Sequence, residues 1–562
     1  MSAEKGDRRK TAIIVGCGVG GVAVAARLAH AGVDVTVLEK NAFSGGRCSL
    51  IYDEKDPGYR FDRGPSFYLM PKTFEETFSD LGEDVNDWIE LKKCPRNYKV
   101  HFHDGKIVEL SSDMVKMKAE VEKWEGPEGF ENFLAFMKEA HYHYEASVNM
   151  VLKQNFESIW QLLTLHNLRE AFNLHVLNKI YSRASHYFKT DRLRRAFTFQ
   201  TMYMGMSPFD APATYNLLQY TEMAEGIWYP VGGFNTVVQS LEKIAEKHGA
   251  KFRYSSPVQR IEVDLKTNDT RGVILESGER LESDIVVCNA DLIYAYGNLL
   301  PESPYSMKLA EKNLTSSSIS LYWSMKEQIP GLDTHNIFLA EHYKESFDDI
   351  FKKLTLPKEP SFYVNVPSRI DPTAAPKDKD ALVILIPVGY ISDKQGPQDW
   401  PALQQRARAF VIETLEARLG YRDFSALIAN ERITMPQDWA SDFNLYRGSI
   451  LGLSHDILQV LWFRPGTKHA KYRNLYFVGA STQPGTGVPI VLSGAKLTAS
   501  QVMRDYGIPS PITQKVPVEK SGLDLVQENE PVLRNILFLF VILAFIAFVS
   551  GMHQFVPMPA VF

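Results

Sequence analysis

The chain has 562 residues, with 62 Lys and Arg against 67 Asp and Glu and a net charge of -5, so no basic surplus marks a nucleic-acid binder. Its length allows roughly three to five structural units around a large core, and 45% hydrophobic and 23% charged residues are ordinary for a globular chain. Its four cysteines, Cys17, Cys48, Cys94 and Cys288, show no CxxC pair and no metal-ligand spacing, which argues against a disulfide scaffold or a metal centre and for reduced thiols in the cytosol.

Residues 1–11 are polar and lack the apolar core of a signal peptide. Residues 12–15 read as a strand, followed by a glycine-rich loop, a helix of small residues over 22–31 and a second strand over 33–38. This is the opening of a βαβ unit. From about 112 to 193 the pattern is mostly helical, with apolar residues at helical spacing over 131–145 and 156–173. A helix over 235–248 precedes strands at 252–254, 258–263, 272–275 and 285–288. Strands at 321–323, 362–366 and 381–387 suggest a separate sheet, and 399–419 an amphipathic helix. A strand at 475–479 leads through a Gly/Pro loop into a helix over 490–506, and 509–530 is a polar, proline-bearing linker.

Gly16, Gly18 and Gly21 form G-x-G-x-x-G between the first strand and its helix. There the first glycine allows the tight turn, the second lets a pyrophosphate approach the backbone, and the third lets the helix pack on the sheet. The helix N-terminus offers N–H groups to phosphates. Glu39 ends the second strand, where its carboxylate suits two ribose hydroxyls and repels a 2′-phosphate. Ser44-Gly45-Gly46-Arg47 adds a second glycine pair and a fixed cation. This extended pattern favours FAD over NAD. It resembles the FAD-binding family that includes amine oxidases, carotenoid desaturases and the Rab escort and GDP-dissociation-inhibitor proteins. No second G-x-G-x-x-G marks an NAD(P)H domain, so electrons pass to another acceptor, a quinone or oxygen. Near the C-terminus, Gly479, Gly485, Thr486, Gly487 and Val488 form a loop and helix start that can aim a helix dipole at the flavin N1–C2=O edge.

The blocks "DRGPSFYLMPKTFEETF", "FTFQTMYMGMSPFDAPATYNLLQYTE", "WYPVGGFNTVVQSL", "IVVCNAD" and "VGASTQPGTGVPIVLSGAKLTASQV" are similar to the bacterial-type carotenoid desaturases, the phytoene desaturases of fungi. The resemblance runs from about residue 11 to 506. It implies FAD as cofactor and stepwise removal of hydrogen from the C40 polyene phytoene, giving lycopene or a neighbouring product. It implies that Asp62, Arg63, Gly64 and Pro65 sit where the flavin faces the substrate tunnel, and that Tyr229, Pro230, Gly232 and Gly233 mark re-entry into the flavin domain. Many relatives carry His where this chain has Asn235 and Gln483, both placed in loops near the flavin. A changed substrate and a neutral exchange of polar side chains are the two readings of that departure.

Hydride loss from an allylic carbon requires a proton to leave the adjacent carbon. Asp62 and Glu222 are the candidate bases; the alternatives are a salt-bridge role for Asp62 with Arg63 or Arg47 and a satisfied polar role for Glu222. Arg192, Arg194 and Arg195 form either a solvated helix face or a contact for anionic lipid. From residue 535 onward no side chain carries a fixed charge, and the apolar run there is long enough for one membrane span. Read as a tail anchor, it places the protein on the endoplasmic reticulum with its catalytic part in the cytosol; a buried core helix is the alternative.

The expected fold is therefore α/β: a discontinuous Rossmann-like FAD-binding domain (1–111, 229–295 and 431–508) with an inserted sheet-plus-helix substrate domain and a C-terminal hydrophobic helix. The insert comprises a helical, membrane-facing part (112–228) and a mixed sheet (296–430); a linker (509–530) and transmembrane tail (531–562) follow. Expected partners are a long apolar polyene, membrane lipid and the electron acceptor; no nucleic acid is expected, and a homo-oligomer is compatible. Two competing functions are a flavin desaturase or oxidase of another terpenoid or lipid, and a flavin-free prenyl-protein carrier resembling GDP-dissociation inhibitors.

Overall fold

A computed structural model describes residues 9–393 and 396–511. Five parallel strands form the sheet that receives the glycine loop, in the order Leu475–Phe477, Ile285–Cys288, Thr11–Val15, Asp34–Leu38, Lys251–Arg253. Three stretches far apart in sequence thus build one sheet. Its central strands read as apolar runs because helices cover it, as parallel sheets require. The helices Val19–His30, Asn235–Lys247 and Val488–Tyr506 share one core with its strands. A three-stranded antiparallel sheet, Val258–Asp264, Asp269–Leu275 and Arg280–Glu282, lies beside it.

A second, seven-stranded sheet runs Ile428–Thr434, Ser317–Met325, Ala381–Val388, Phe362–Asn365, His335–Phe338, Tyr98–His101, Ile107–Leu110. Two of the expected boundaries are corrected by it. Tyr98–His101 and Ile107–Leu110, assigned to the first flavin segment, pair into this sheet instead, and Ile428–Thr434 straddles the boundary drawn at 430. Strand pairing between positions more than a hundred residues apart decides both, and no local pattern carries it.

Helices Met114–Ser147, Leu165–Asn173, Ile180–Tyr187 and Asp191–Ala196 form the helical layer. The helix expected over 156–173 is shorter. Ser158 caps a single 3₁₀ turn, Ile159–Gln161, and Thr164 accepts from the Asn167 amide to start Leu165–Asn173 afresh. Hydroxyl capping outcompetes helix continuation there. Among the described residues no helix is long and apolar enough to cross a membrane; the expected tail, 531–562, lies outside them, as does most of the linker. All four cysteines are buried and free.

Candidate active site

Gly21 shows why the loop needs glycine: a Cβ there would stand 2.1 Å from the Gly16 carbonyl oxygen. The resulting close turn brings the first helix to the sheet edge with Gly18 as N-cap, no side-chain cap and no acid in its first turn. Its first amides are left for a ligand. Glu39 ends the neighbouring strand, buried, with Oε2 accepting from the Cys17 amide (2.8 Å) and Oε1 from the Asn41 amide (2.9 Å). Gly45 sits above them at φ +98°, where a Cβ would meet Asn235 Nδ2 at 2.4 Å. Arg47 is held by the Ile450 carbonyl. Burial lowers its pKa and raises that of the nearby Asp291.

The helix Val488–Tyr506 begins after Gly487, again without a side-chain cap or first-turn acid. Both helix starts open on one cavity of about 1360 Å³. Of the expected cofactor residues, Gly16, Gly18, Glu39, Gly45, Gly46, Arg47, Gly64, Pro65, Gly479, Gly485, Thr486, Gly487 and Val488 line it, and only Gly21 packs behind it. Beyond them the cavity continues between the helical layer (Tyr144, Leu152, Phe172, Leu217) and the seven-stranded sheet (Ile337, Tyr363, Leu385), lined chiefly by apolar side chains. Two uncapped helix starts, a fixed carboxylate and this apolar extension meet in one space. That donor set fits a dinucleotide whose redox ring borders an apolar chamber.

The two candidate bases fare differently. Asp62 does not line the cavity. Its oxygens accept from Tyr229 Oη (2.5 Å) and the Phe234 amide (2.7 Å), fastening the strand Arg60–Asp62 to the re-entry segment. Burial raises its pKa against those donors. Neither expected salt-bridge partner pairs with it: Arg63 faces Asp442 at 3.8 Å and the rings of Phe43 and Phe443, and Arg47 donates to the Ile450 carbonyl. Glu222 is fully buried and also off the cavity wall. It accepts from Tyr98 (2.8 Å), Gln200 (3.2 Å) and Tyr203, and burial pushes its pKa up to about 7. Direct contact of either acid with a substrate is thus not what the geometry provides.

Asn235 occupies the first turn of a helix rather than a loop, and neither it nor Gln483 lines the cavity. Gln483 accepts from the Phe156 amide (2.8 Å) and donates to the carbonyls of Phe156, Leu461 and Arg464 (3.1–3.3 Å). The basic cluster is not a free face either. Arg192 pairs with Asp104 over the rings of Phe102 and Trp124, Arg194 donates to the Phe188 carbonyl, and Arg195 pairs with Asp191 and reaches the carbonyls of Ala340 and Glu341.

Three side chains escaped the sequence reading. Asn289, inside "IVVCNAD", donates from Nδ2 to the Gly16 carbonyl (3.3 Å) and props the glycine loop. His455 is buried at the cavity wall with neither ring nitrogen hydrogen-bonded among the described residues, its pKa far down through burial and the Arg464 cation. Tyr203 lines the cavity in front of Glu222. Asn289 and Tyr203 both lie in blocks that carry the family resemblance, but nothing local marks their roles; His455 lies outside those blocks. Glu139, His143 and His175 bring ligand atoms within 4.8 Å of one another, but the Glu139 oxygens already accept from Arg183, Tyr187 and Asn216.

The flavin containing amine oxidoreductase family matches residues 19–503. A phytoene desaturase of Phycomyces blakesleeanus is 59% identical over 512 residues, 90% of this chain and 87% of that protein. The chain belongs to the flavin-containing amine oxidoreductases, among the phytoene desaturases. A second phytoene desaturase, from Fusarium fujikuroi, is 51% identical over 93% of this chain and 95% of its own. A solved putrescine oxidase, 13% identical, superposes on this flavin oxidoreductase with a TM-score of 0.57, covering 88% of this chain and 99% of its own; at that identity the likeness shows the fold alone. The expected FAD accords with a flavin-containing family and with the cavity's donors.

Proposed function

We propose that this chain is an FAD-dependent desaturase that introduces double bonds into phytoene, acting from a membrane surface. The observation that carries the reading is the single cavity in which the dinucleotide donors and the apolar chamber are continuous. The names of the relatives support the substrate. FAD, when bound, supplies hydride acceptance. Glu39 would hold the adenosine ribose, the amides at Gly18–Gly20 the pyrophosphate, and the amides at Thr486–Val488 the electron-rich edge of the ring. The chamber walls, from Tyr144 to Leu385, exclude water and align the polyene, whose transfer from water is favourable by about 0.8 kcal/mol per buried CH₂. A quinone or oxygen takes the electrons onward.

The membrane contact rests on two features. Exposed apolar side chains gather in two segments that also wall the cavity: Phe172 and Leu177 in one, Ile457, Leu458 and Phe463 in the other. The uncharged run after residue 534 would anchor the chain. Expression in a phytoene-accumulating host tests the function: coloured products of higher unsaturation are expected, and unchanged phytoene would overturn it. Another terpenoid as substrate gains no support from Asn235 and Gln483, since both side chains lie off the cavity wall.

A further inference from the structure

Glu222 has an unusual setting. It is a fully buried carboxylate, and among the described residues no cation pairs with it; three neutral donors, Tyr98, Tyr203 and Gln200, hold it. Leaving a carboxylate so deep without a countercharge is costly unless it exchanges a proton. The chain around it forms a π-helical turn, Thr221–Glu225, a geometry frequent at functional sites. Asn97 Nδ2 donates to the Glu222 carbonyl (2.6 Å) and fixes the turn. Of the two phenols on the carboxylate, only Tyr203 borders the cavity. Its ring packs against Phe67 (centroids 5.6 Å apart), itself a cavity residue three positions after Gly64. Tyr203 thus borders the cavity together with Phe67, whose segment also supplies the cavity residues Gly64, Pro65 and Ser66.

We infer that Tyr203 and Glu222 form the proton-accepting pair of the desaturation. Tyr203 is the catalytic residue and Glu222 the positioning residue behind it. This rests on the desaturase reading above. For each new double bond the substrate gives up two hydrogens: one leaves with both electrons of its C–H bond as hydride to the flavin, the other as a proton from the adjacent carbon. The electron pair of that second C–H bond becomes the π bond. The proton goes to Tyr203 Oη as the phenol's own proton passes to the Glu222 carboxylate; it leaves by the same path after the product departs and is taken up by the quinone or oxygen that accepts the two electrons. No charge is stranded, because Tyr203 stays neutral and Glu222 holds the proton. The titratable groups facing Glu222 are Tyr98 and Tyr203, with Tyr363 and His335 packed beyond them around Phe67. Burial holds His335 neutral, with its pKa down at about 3. A midpoint near 7 in the reaction would therefore belong to Glu222.

The test uses the FAD-loaded full chain in phytoene-bearing vesicles, measuring single-turnover flavin reduction against pH, with infrared titration of protonated carboxyl groups without substrate. Wild type is expected to speed up as pH rises through about 7 and to show one carboxyl titrating there. Tyr203→Phe and Glu222→Gln should slow reduction on the order of 100-fold or more and flatten the pH profile, and Glu222→Gln should lose the infrared band. Tyr98→Phe removes a donor that lowers the Glu222 pKa, so its midpoint should move up while the pH dependence persists. Near-normal reduction by a flavin-loaded Tyr203→Phe, or no carboxyl titrating near neutrality, would overturn the pair. Wild type inert toward phytoene would overturn the substrate reading, while the infrared band still reports on Glu222.

Discussion

Buried polar groups at this site divide into those that hold the structure together and one that carries a charge without a countercharge. Asp62, Gln483 and Asn289 hold backbone and neighbours in place; Glu222 alone is a charge-bearing group at zero exposure without a counterion among the described residues. Its folded pKa, about 7, exceeds the ordinary 4.5. Folding therefore favours its protonated form, and the stability it contributes is lost as pH rises from the unfolded to the folded value. A shift of that size corresponds to roughly 3 kcal/mol. Glu222→Gln, which cannot ionise, should gain stability relative to wild type by that order between about pH 4.5 and 8. Urea unfolding at the two pH values checks it, and a pH-independent difference would refute the shifted acid. Glu222 is a candidate base from its block alone; Tyr203 shares that block, yet its link from the carboxylate to the cavity is not legible there. No sequence spacing shows that residues 19 apart face each other across a π-helical turn.

Secondary elements were readable in proportion to their local signals. The apolar runs of the five-stranded sheet, its glycine loop and the small-residue helix all announce themselves by pattern, and Ile285–Cys288 stands where it was placed. His335–Phe338 and Tyr98–His101 do not: each has four residues, with buried His and Asn among them. Only their neighbours in the seven-stranded sheet make them strands. The same limit hid the clip between Gln483 and Phe156, which ties the link between the helices Met114–Ser147 and Leu165–Asn173 to the C-terminal glycine loop. Gln483→Ala would leave the Phe156 amide and three carbonyls short of a partner. A loss of about 2–3 kcal/mol is expected, measurable as a lowered chemical-denaturation midpoint, with the product profile unchanged because the side chain lies off the cavity wall. A changed product would contradict that placement.

At the scale of the whole molecule, one sheet of five strands presents the dinucleotide donors and another of seven carries the far wall of the chamber, with a helical layer closing the space between them. The exposed apolar residues of the helical layer and of the 457–463 segment give that space its greasy approach. Leu177 (83% exposed) and Leu458 (61%) have little packing to lose, so Leu177→Glu with Leu458→Glu should fold normally yet bind lipid vesicles several-fold more weakly, most clearly in a chain lacking residues 531–562. Unchanged co-sedimentation of that shortened double variant would remove the docking role. The central claim is continuity between flavin and polyene in one cavity. Its most direct measurement is anaerobic mixing of the yellow, FAD-loaded protein with phytoene in vesicles: bleaching of the flavin absorption, matched by one new double bond per flavin, is the predicted result. A protein that takes up no FAD, or whose bound flavin stays oxidised beside phytoene, would contradict it.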